Sequence, residues 1–340
     1  MIRTLLVSVS AGLVLAACAH TLSAGDDASP INTANMSETV KVLASDAFMG
    51  RAPGTEGETK TVDYLIKRFT ELGLEPGGRD GKWTDPVTLK HSVVTDVRTL
   101  NVQYGGFTIP IEQGRDIEIS SANPRPTISV KDAPVVFVGF GVTAPERDWD
   151  DFGDVDLTGK VALFLVNDPD FGVTEDDPVS GVFGGRRMTY YGRWAYKFEE
   201  AARRGAVAAL VIHETKAAGY GWNVASSSPG ENYAVAGKGA KAASVDLQGW
   251  LHEEMAQQWL AQAGYDLDAL RKAARQRDFK AIGLGDLRFN ADLVLSVETV
   301  ESQNVLGKIT GKTRPDETVM LSGHWDAYGI GAPDAQGRVV

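Results

Sequence analysis

The stretch Val161-Ala-Leu-Phe-Leu-Val-Asn167 decides the fold, because six consecutive apolar side chains without polar alternation fit a strand covered on both faces. Residues 196–204 follow at helical spacing and are ended by Gly205. A second apolar run, Ala206-Val-Ala-Ala-Leu-Val-Ile-His213, comes next. Strand, helix and strand in that order make a parallel pair with a crossover helix. A third apolar run occupies 134–142, and Leu251, Met255 and Trp259 recur every four residues on a further helix broken by Gly264. This whole stretch reads as an α/β domain bounded near Thr127 and Leu287.

Outward from it, short alternating runs over 90–129 predict strands and hairpins, with Tyr104-Gly105-Gly106-Phe107 as one turn. Further upstream, Ser37 can cap a short helix carrying Val40 and Leu43. Thr55, with Glu58 three residues on, forms a capping-box pattern before a second helix. That helix sets Val62, Leu65, Ile66, Phe69 and Leu72 at helical spacing, and Gly73 followed by Pro76 stops it. Between them lies Leu43-Ala-Ser-Asp46-Ala-Phe-Met-Gly50-Arg51-Ala-Pro53-Gly54-Thr55-Glu56-Gly57, whose Gly and Pro density marks a turn. Downstream, 292–300 and 304–309 resume strand patterning, and a turn over 310–316 leads to one more strand. Three strands in a row predict the opening of an α/β sheet, with its ligand site at the strands' carboxyl ends.

That last strand, Glu317-Thr-Val-Met-Leu-Ser-Gly-His324-Trp325-Asp326, carries the chemistry. An imidazole that binds a metal through one nitrogen must hold its other N–H in a fixed tautomer, and a carboxylate two residues away is a suitable acceptor. Read alone, His324 fits a satisfied strand-end histidine better than a metal ligand. A hydrolytic metal site needs about three or four protein ligands, and the chain stops at Val340, soon after Asp326. The expectation is a site from which most ligands are missing.

A chain of 340 residues with 43% apolar and 23% charged side chains has the length for two units and the composition of a soluble globular protein. Its 34 basic and 45 acidic residues give a net charge of −11, which repels nucleic acid and anionic lipid. At the N-terminus, Arg3 precedes an apolar run from Leu5 to Ala17, shorter than the ~20 residues that span a bilayer, so it reads as a secretory segment. The run ends in Leu15-Ala16-Ala17-Cys18, which resembles the bacterial lipobox. Cleavage there would free Cys18 for lipidation and hold the protein on a membrane; ordinary secretion with cleavage nearby is the alternative. Cys18 is the single cysteine, so no intramolecular disulfide can form. Residues 19–36, rich in small polar residues, read as a flexible tether.

Taken in order, the loop Leu43-Ala-Ser-Asp46…Gly50-Arg51…Pro53-Gly54-Thr55…Gly57 with its helix, Asn304-Val-Leu-Gly307, and Gly323-His324-Trp325-Asp326 resemble the zinc aminopeptidase family, metallopeptidase family twenty-eight. Leucyl aminopeptidases and the glutamate carboxypeptidase and transferrin-receptor relatives belong to it. Val138-Gly-Phe-Gly141-Val-Thr-Ala-Pro145, Leu157-Thr-Gly159-Lys160-Val-Ala and Arg203-Arg-Gly205-Ala206 resemble the protease-associated domain inserted in many members. The resemblance implies a doubly wound α/β zinc-peptidase sheet, incomplete here, with an inserted α/β protease-associated domain. The plan is then a lipoprotein signal peptide over 1–18, the tether over 19–36, a peptidase domain over 37–126 and 288–340, and the insert over 127–287. The family site holds two zinc ions that polarise the scissile carbonyl and activate a bridging water, with a glutamate as base. His324 matches the first zinc ligand and Asp326 the carboxylate that orients it. The bridging aspartate, the glutamate pair and a second histidine have no match in this chain; Gly331-Ala332-Pro333-Asp334 only superficially resembles the bridging element.

The expected activity is removal of N-terminal residues from peptides in the bacterial cell envelope, on the periplasm-facing outer membrane, by a truncated chain with weak turnover. A noncatalytic peptide- or protein-binding lipoprotein and a metallo-carboxypeptidase are the alternatives. The remaining histidines read as structural. His213 ends a buried strand, His91 carries no motif, and His252-Glu253-Glu254 is not His-Glu-x-x-His because residue 256 is alanine. The aromatics of 194–198 and 250–259 read as packing, and Arg186-Arg187 as a solvated turn.

Overall fold

A computed structural model describes residues 32–227, 230–236 and 244–331. The chain divides into a short unit ending at Ala44 and a larger one beginning at Ser45. The first carries helix α1 (Thr33–Leu43). Its N-cap is Asn32 rather than Ser37: the Asn32 side chain accepts from the Ala34 and Asn35 N–H groups at 2.9 and 3.2 Å. Asparagine caps as well as serine, and capping one turn earlier leaves Ser37 inside the helix.

The larger unit begins with α2 (Glu56–Glu71), β1 (Glu75–Pro76), β2 (Thr84–Tyr104), β3 (Phe107–Pro110), β4 (Ile117–Ser120) and β5 (Thr127–Phe137). Next come β6 (Thr143–Ala144), β7 (Trp149–Asp150), β8 (Val161–Leu165), α3 (Trp194–Arg203), β9 (Ala208–His213), α4 (Thr215–Ala218) and α5 (Trp222–Ala225). The last are β10 (Glu231–Val235), β11 (Leu247–His252), α6 (Glu253–Gln262), α7 (Leu267–Ala273), β12 (Ile282–Val305) and β13 (Gly307–Lys308). Nine strands form one mixed sheet in the order β10-β2-β12-β5-β8-β9-β11-β4, with β3 also on β2. Within it β5, β8, β9 and β11 are parallel, while β4 and the β2–β12 ribbon are antiparallel additions.

The parallel centre explains the unalternated sequence. Along β8, Val161, Leu163 and Leu165 join a core that includes Trp259 of α6 and Leu270 of α7. Ala162 and Phe164 join a second core with Phe198 and Ala201 of α3. Helices therefore cover both faces, and each fully buried Val, Leu or Phe contributes roughly 1.5–3 kcal/mol. The strand over 161–167, the helix over 196–204 and the strand over 206–213 are all observed, with ends moved by one or two residues. Leu251 lies at the end of β11, not on the helix with Met255 and Trp259. The hairpin at Tyr104–Phe107 forms as expected; Gly105 and Gly106 both hold positive φ (53° and 87°), as a two-residue primed turn requires.

The C-terminal expectations need correction. The runs at 292–300 and 304–309 are not successive strands of a new sheet. They are β12, antiparallel to β2 and β5, and β13, antiparallel to β1. Residues 317–329 form neither helix nor strand, and Val319 and Leu321 are 91% and 94% exposed. Their composition suits a strand, but a strand needs a neighbour's ladder groups and covered faces, and no strand among the described residues pairs with them.

Strands from both sides of Thr127 and Leu287 share the one sheet, and Thr127 itself pairs with Val294. β2 and β12 run alongside each other as far as Thr84 and Val305, with register shifts beside Asp292 and Val294. This ribbon carries the polypeptide away from the parallel centre and, at its far end, holds the segments described next.

Candidate functional site

The Gly- and Pro-rich loop before α2 is more than a turn. Met49, Gly50 and Arg51 take three consecutive left-handed conformations, with φ of 49°, 65° and 56°. Non-glycine residues seldom adopt these, and such strain concentrates at functional positions. The fold of the loop is fixed by its neighbours. Gly54 sits where a Cβ would lie 2.3 Å from Cγ1 of Val300 on β12. Glu58, buried in the first turn of α2, accepts from the Gly54 N–H at 2.5 Å and from the Ser302 hydroxyl at 3.2 Å. The Thr55 hydroxyl donates to the Ala52 carbonyl at 2.7 Å. The capping pattern read from Thr55 and Glu58 thus marks the correct helix start, while the glutamate serves the N–H one residue before Thr55.

Against this loop lies the segment that carries His324. The Gly329 N–H donates to the Gly50 carbonyl at 2.9 Å, the Ala327 N–H to the Arg51 carbonyl at 3.1 Å, and Arg51 Nε–H to the Trp325 carbonyl at 2.9 Å. The Trp325 indole donates to the Gln303 carbonyl near the end of β12 at 3.0 Å. A Cβ on Gly50 would lie 2.0 Å from the Gly329 carbonyl oxygen, so this approach requires glycine. Two motifs separated by more than 270 residues in sequence are therefore brought together. The contact that joins them, glycine on glycine, is invisible to spacing analysis.

His324 stands on this turn with its side chain 84% exposed, and it ends no strand. Its Nδ1 lies 2.8 Å from the main-chain oxygen of Asp326 and 3.8 Å from Oδ1 of that residue. With the proton on Nδ1, the ring donates to that main-chain oxygen and Nε2 is left as the acceptor, the tautomer a metal ligand needs. Here the backbone of Asp326 does the orienting, with its carboxylate just beyond hydrogen-bond reach.

These two residues do not make up a zinc centre. Among the described residues no three His, Cys, Asp or Glu side chains converge as metal donors, whereas zinc takes about three protein ligands in catalytic sites and four in structural ones. Cys18, His20 and Asp334 lie outside the described residues. Also among the described residues, no helix is long and apolar enough to cross a membrane.

The other histidines are placed as structural groups. His213 ends β9 in a cage of Tyr220, Trp222 and Trp250, with ring centroids 5.4–5.6 Å away. Burial depresses its pKa, and its Nε2 is buried without a partner. His252 is the N-cap of α6. His91 bridges Glu298 at 2.7 Å and Glu231 at 2.8 Å and stacks on Tyr233, tying β10 to the β2–β12 ribbon. Arg186 and Arg187 are exposed in a turn.

A buried polar cluster at the carboxyl ends of β5 and β8 had no sequence signal. Lys197 of α3 is fully buried and donates to the carbonyls of Phe140 at 2.6 Å, Asn167 at 3.1 Å and Tyr191 at 3.4 Å. Burial lowers its pKa to about 8 and raises that of Asp151 to about 7. Burial also raises Asp168, whose carboxylate accepts from the Thr189 N–H and hydroxyl. Perturbed groups of this kind can mark active sites. Here both Asp151 oxygens are engaged, by the Val142 N–H and the Trp149 indole, and Lys197 satisfies carbonyls that strand ends would otherwise leave unpaired. The cluster is structural.

No family model matches the chain, and no curated protein matches it. Among solved structures it resembles an aminopeptidase from Aneurinibacillus sp. strain AM-1, with 18% identity and a TM-score of 0.35 over 84% of this chain and 50% of that one. A zinc aminopeptidase from Bacillus subtilis, BSAP, gives 19% identity and a TM-score of 0.31 over 84% of this chain and 48% of that one. A second, medium-resolution structure of BSAP gives 16% and 0.29 over 82% and 47%. The chain spans about half the length of these structures.

Proposed function

We propose that this chain belongs to the zinc aminopeptidase lineage and carries the metal-ligand end of a site that removes N-terminal residues from peptides. His324 is the metal donor and Asp326 the residue that orients it. The observation that carries this reading is the docking of residues 325–329 on Gly50 and Arg51: the two stretches whose motifs resemble the family are held against each other, with the His324–Asp326 turn at their junction. Since the single donor His324 does not complete a zinc centre among the described residues, weak zinc binding and little turnover are expected. Residues 127–287 form the inserted protease-associated domain, and lipidation at Cys18 holds the protein on the periplasmic face of the outer membrane.

Zinc titration by calorimetry, together with aminoacyl-nitroanilide hydrolysis with and without chelator, tests the reading. Weak zinc uptake that His324→Ala abolishes is expected. Uptake unchanged by that substitution removes His324 from the metal, and robust chelator-sensitive turnover overturns the claim of low activity. Radioactive palmitate tests the anchor, since an unlabelled, freely soluble mature protein excludes it. A second reading, a noncatalytic peptide-binding module, is favoured by the exposure of His324, beside which no metal-donor cluster forms among the described residues. It predicts peptide binding that His324→Ala leaves unchanged.

A further inference from the structure

A second site, unrelated to His324, lies at the carboxyl ends of β8 and β9, the edge of a parallel sheet where α/β proteins commonly place ligands. A cavity of about 80 Å³ opens there, its lining combining the apolar Phe140, Leu165 and Phe171 with the cationic Lys216, Arg271 and Arg275. Its cations are unevenly matched. Arg271 meets Glu253 at 2.9 Å, Glu214 at 3.2 Å and Asp268 at 2.5 Å through its terminal nitrogens. Arg275 spends one terminal N–H on the Phe171 carbonyl at 3.2 Å and, among the described residues, has no carboxylate within 4.0 Å. Lys216 likewise has no ion-pair partner among them, and it is exposed at the rim. The Nε atoms of both Arg271 and Arg275 are buried without an acceptor. Arg271 is neutralised by its three carboxylates, whereas Arg275 and Lys216 on the same lining leave positive charge that no carboxylate among the described residues offsets.

We propose that this cavity binds a small carboxylate bearing a short apolar tail. The carboxylate oxygens would take the terminal N–H groups of Arg275 that the Phe171 carbonyl leaves over, with Lys216 at the mouth, in the planar geometry that suits arginine to carboxylates. The tail would cover Phe140, Leu165 and Phe171. Inorganic phosphate is disfavoured, because it leaves the apolar residues of the lining uncovered.

The test is ligand-observed NMR on the full chain with 3-methylbutanoate, against 3-methylbutanol and inorganic phosphate. Saturable binding of the acid is expected, with about tenfold or greater weakening in Arg275→Leu and partial recovery in Arg275→Lys. Because Arg275 also holds the Phe171 carbonyl, Lys216→Met serves as a second variant. It sits at the exposed rim and should weaken binding several-fold at an unchanged melting temperature. Equal binding of the alcohol would show that only the tail is read. Phosphate binding as tightly as the acid would remove the carboxylate class. Acid binding untouched by both Arg275→Leu and Lys216→Met would place the ligand elsewhere; any of these three results overturns the proposal.

Discussion

Replacing Gly50 by alanine should release the His324 segment without unfolding the sheet. The added methyl would lie 2.0 Å from the Gly329 carbonyl oxygen and 2.4 Å from its carbon, backbone atoms that no rotamer change can clear. The residue would also keep a φ of 65°, which costs an L-residue roughly 1–2 kcal/mol. Relief comes by backing residues 325–329 off the loop. That breaks the Gly329–Gly50 and Ala327–Arg51 hydrogen bonds, each worth about 0.5–1.5 kcal/mol net. The φ cost falls on the loop whether the segment is docked or not; the two lost bonds shift the opening equilibrium of residues 325–329 by about 2 kcal/mol, roughly thirtyfold at 1.4 kcal/mol per decade. Amide hydrogen exchange reads this directly: Ala327 and Gly329 should lose protection while Leu163 and Leu210 in the parallel centre keep theirs. Gly73→Ala is the control, since it has a comparable φ of 77° with nothing within 4 Å of its Cβ, and should show only the conformational cost. If Ala327 and Gly329 exchange at unchanged rates in Gly50→Ala, the docking contact is not what holds the segment.

Other substitutions probe the framework. Trp259 is fully buried between α6 and the sheet, so Trp259→Ala should cost about 3–5 kcal/mol by urea denaturation. Trp259→Phe, which also removes a buried indole N–H with no acceptor, should cost less. Lys197→Met would leave two buried carbonyls and one half-buried one without their donor and should destabilise by about 3 kcal/mol, measured the same way; a neutral result would mean that water replaces the ammonium. Burial raises the Glu118 pKa from 4.5 to about 8, partly offset by the Gly230 N–H. Because the folded-state value is raised, the folded protein binds the proton more tightly. Its contribution is complete below about pH 4.5 and is lost as pH rises to about 8. Glu118→Gln should therefore flatten melting temperature against pH across that window and raise stability above it; an unchanged profile refutes the assignment.

What could be read from the sequence followed from how local its cause is. Val161 to Leu165 announced a two-sided strand because burial on both faces acts on every residue of the run. Gly105-Gly106 announced a primed turn because two adjacent positive φ values leave few other residues possible. Glu317 to Leu321 carries strand propensity but forms no strand, since a ladder belongs to two segments and propensity describes one. Lys197 and Arg275 gave no signal because a long cation in or beside an amphipathic helix ordinarily lies on its solvated side. Only the tertiary fold turns Lys197 beneath strand ends and sets Arg275 against a cavity. Gly50 could be read as a turn residue but not as the partner of Gly329, which arrives from the opposite end of the chain.

This difference bears on how any ligand would meet His324. The sheet is stabilised by dozens of buried apolar side chains, whereas residues 325–329 are attached chiefly by four hydrogen bonds to Gly50, Arg51 and Gln303. Local opening of that attachment is therefore far easier than global unfolding, and the imidazole is presented in its oriented form only in the docked fraction. Apparent affinity at His324 scales with that fraction. Gly50→Ala, which touches neither His324 nor Asp326, should consequently weaken zinc uptake while leaving the thermal transition of the sheet in place. His324→Ala should abolish uptake outright if His324 is the donor proposed above. Zinc affinity that is indifferent to Gly50→Ala, in a protein whose Ala327 amide has lost protection, would mean that the imidazole does not need the docked turn to bind.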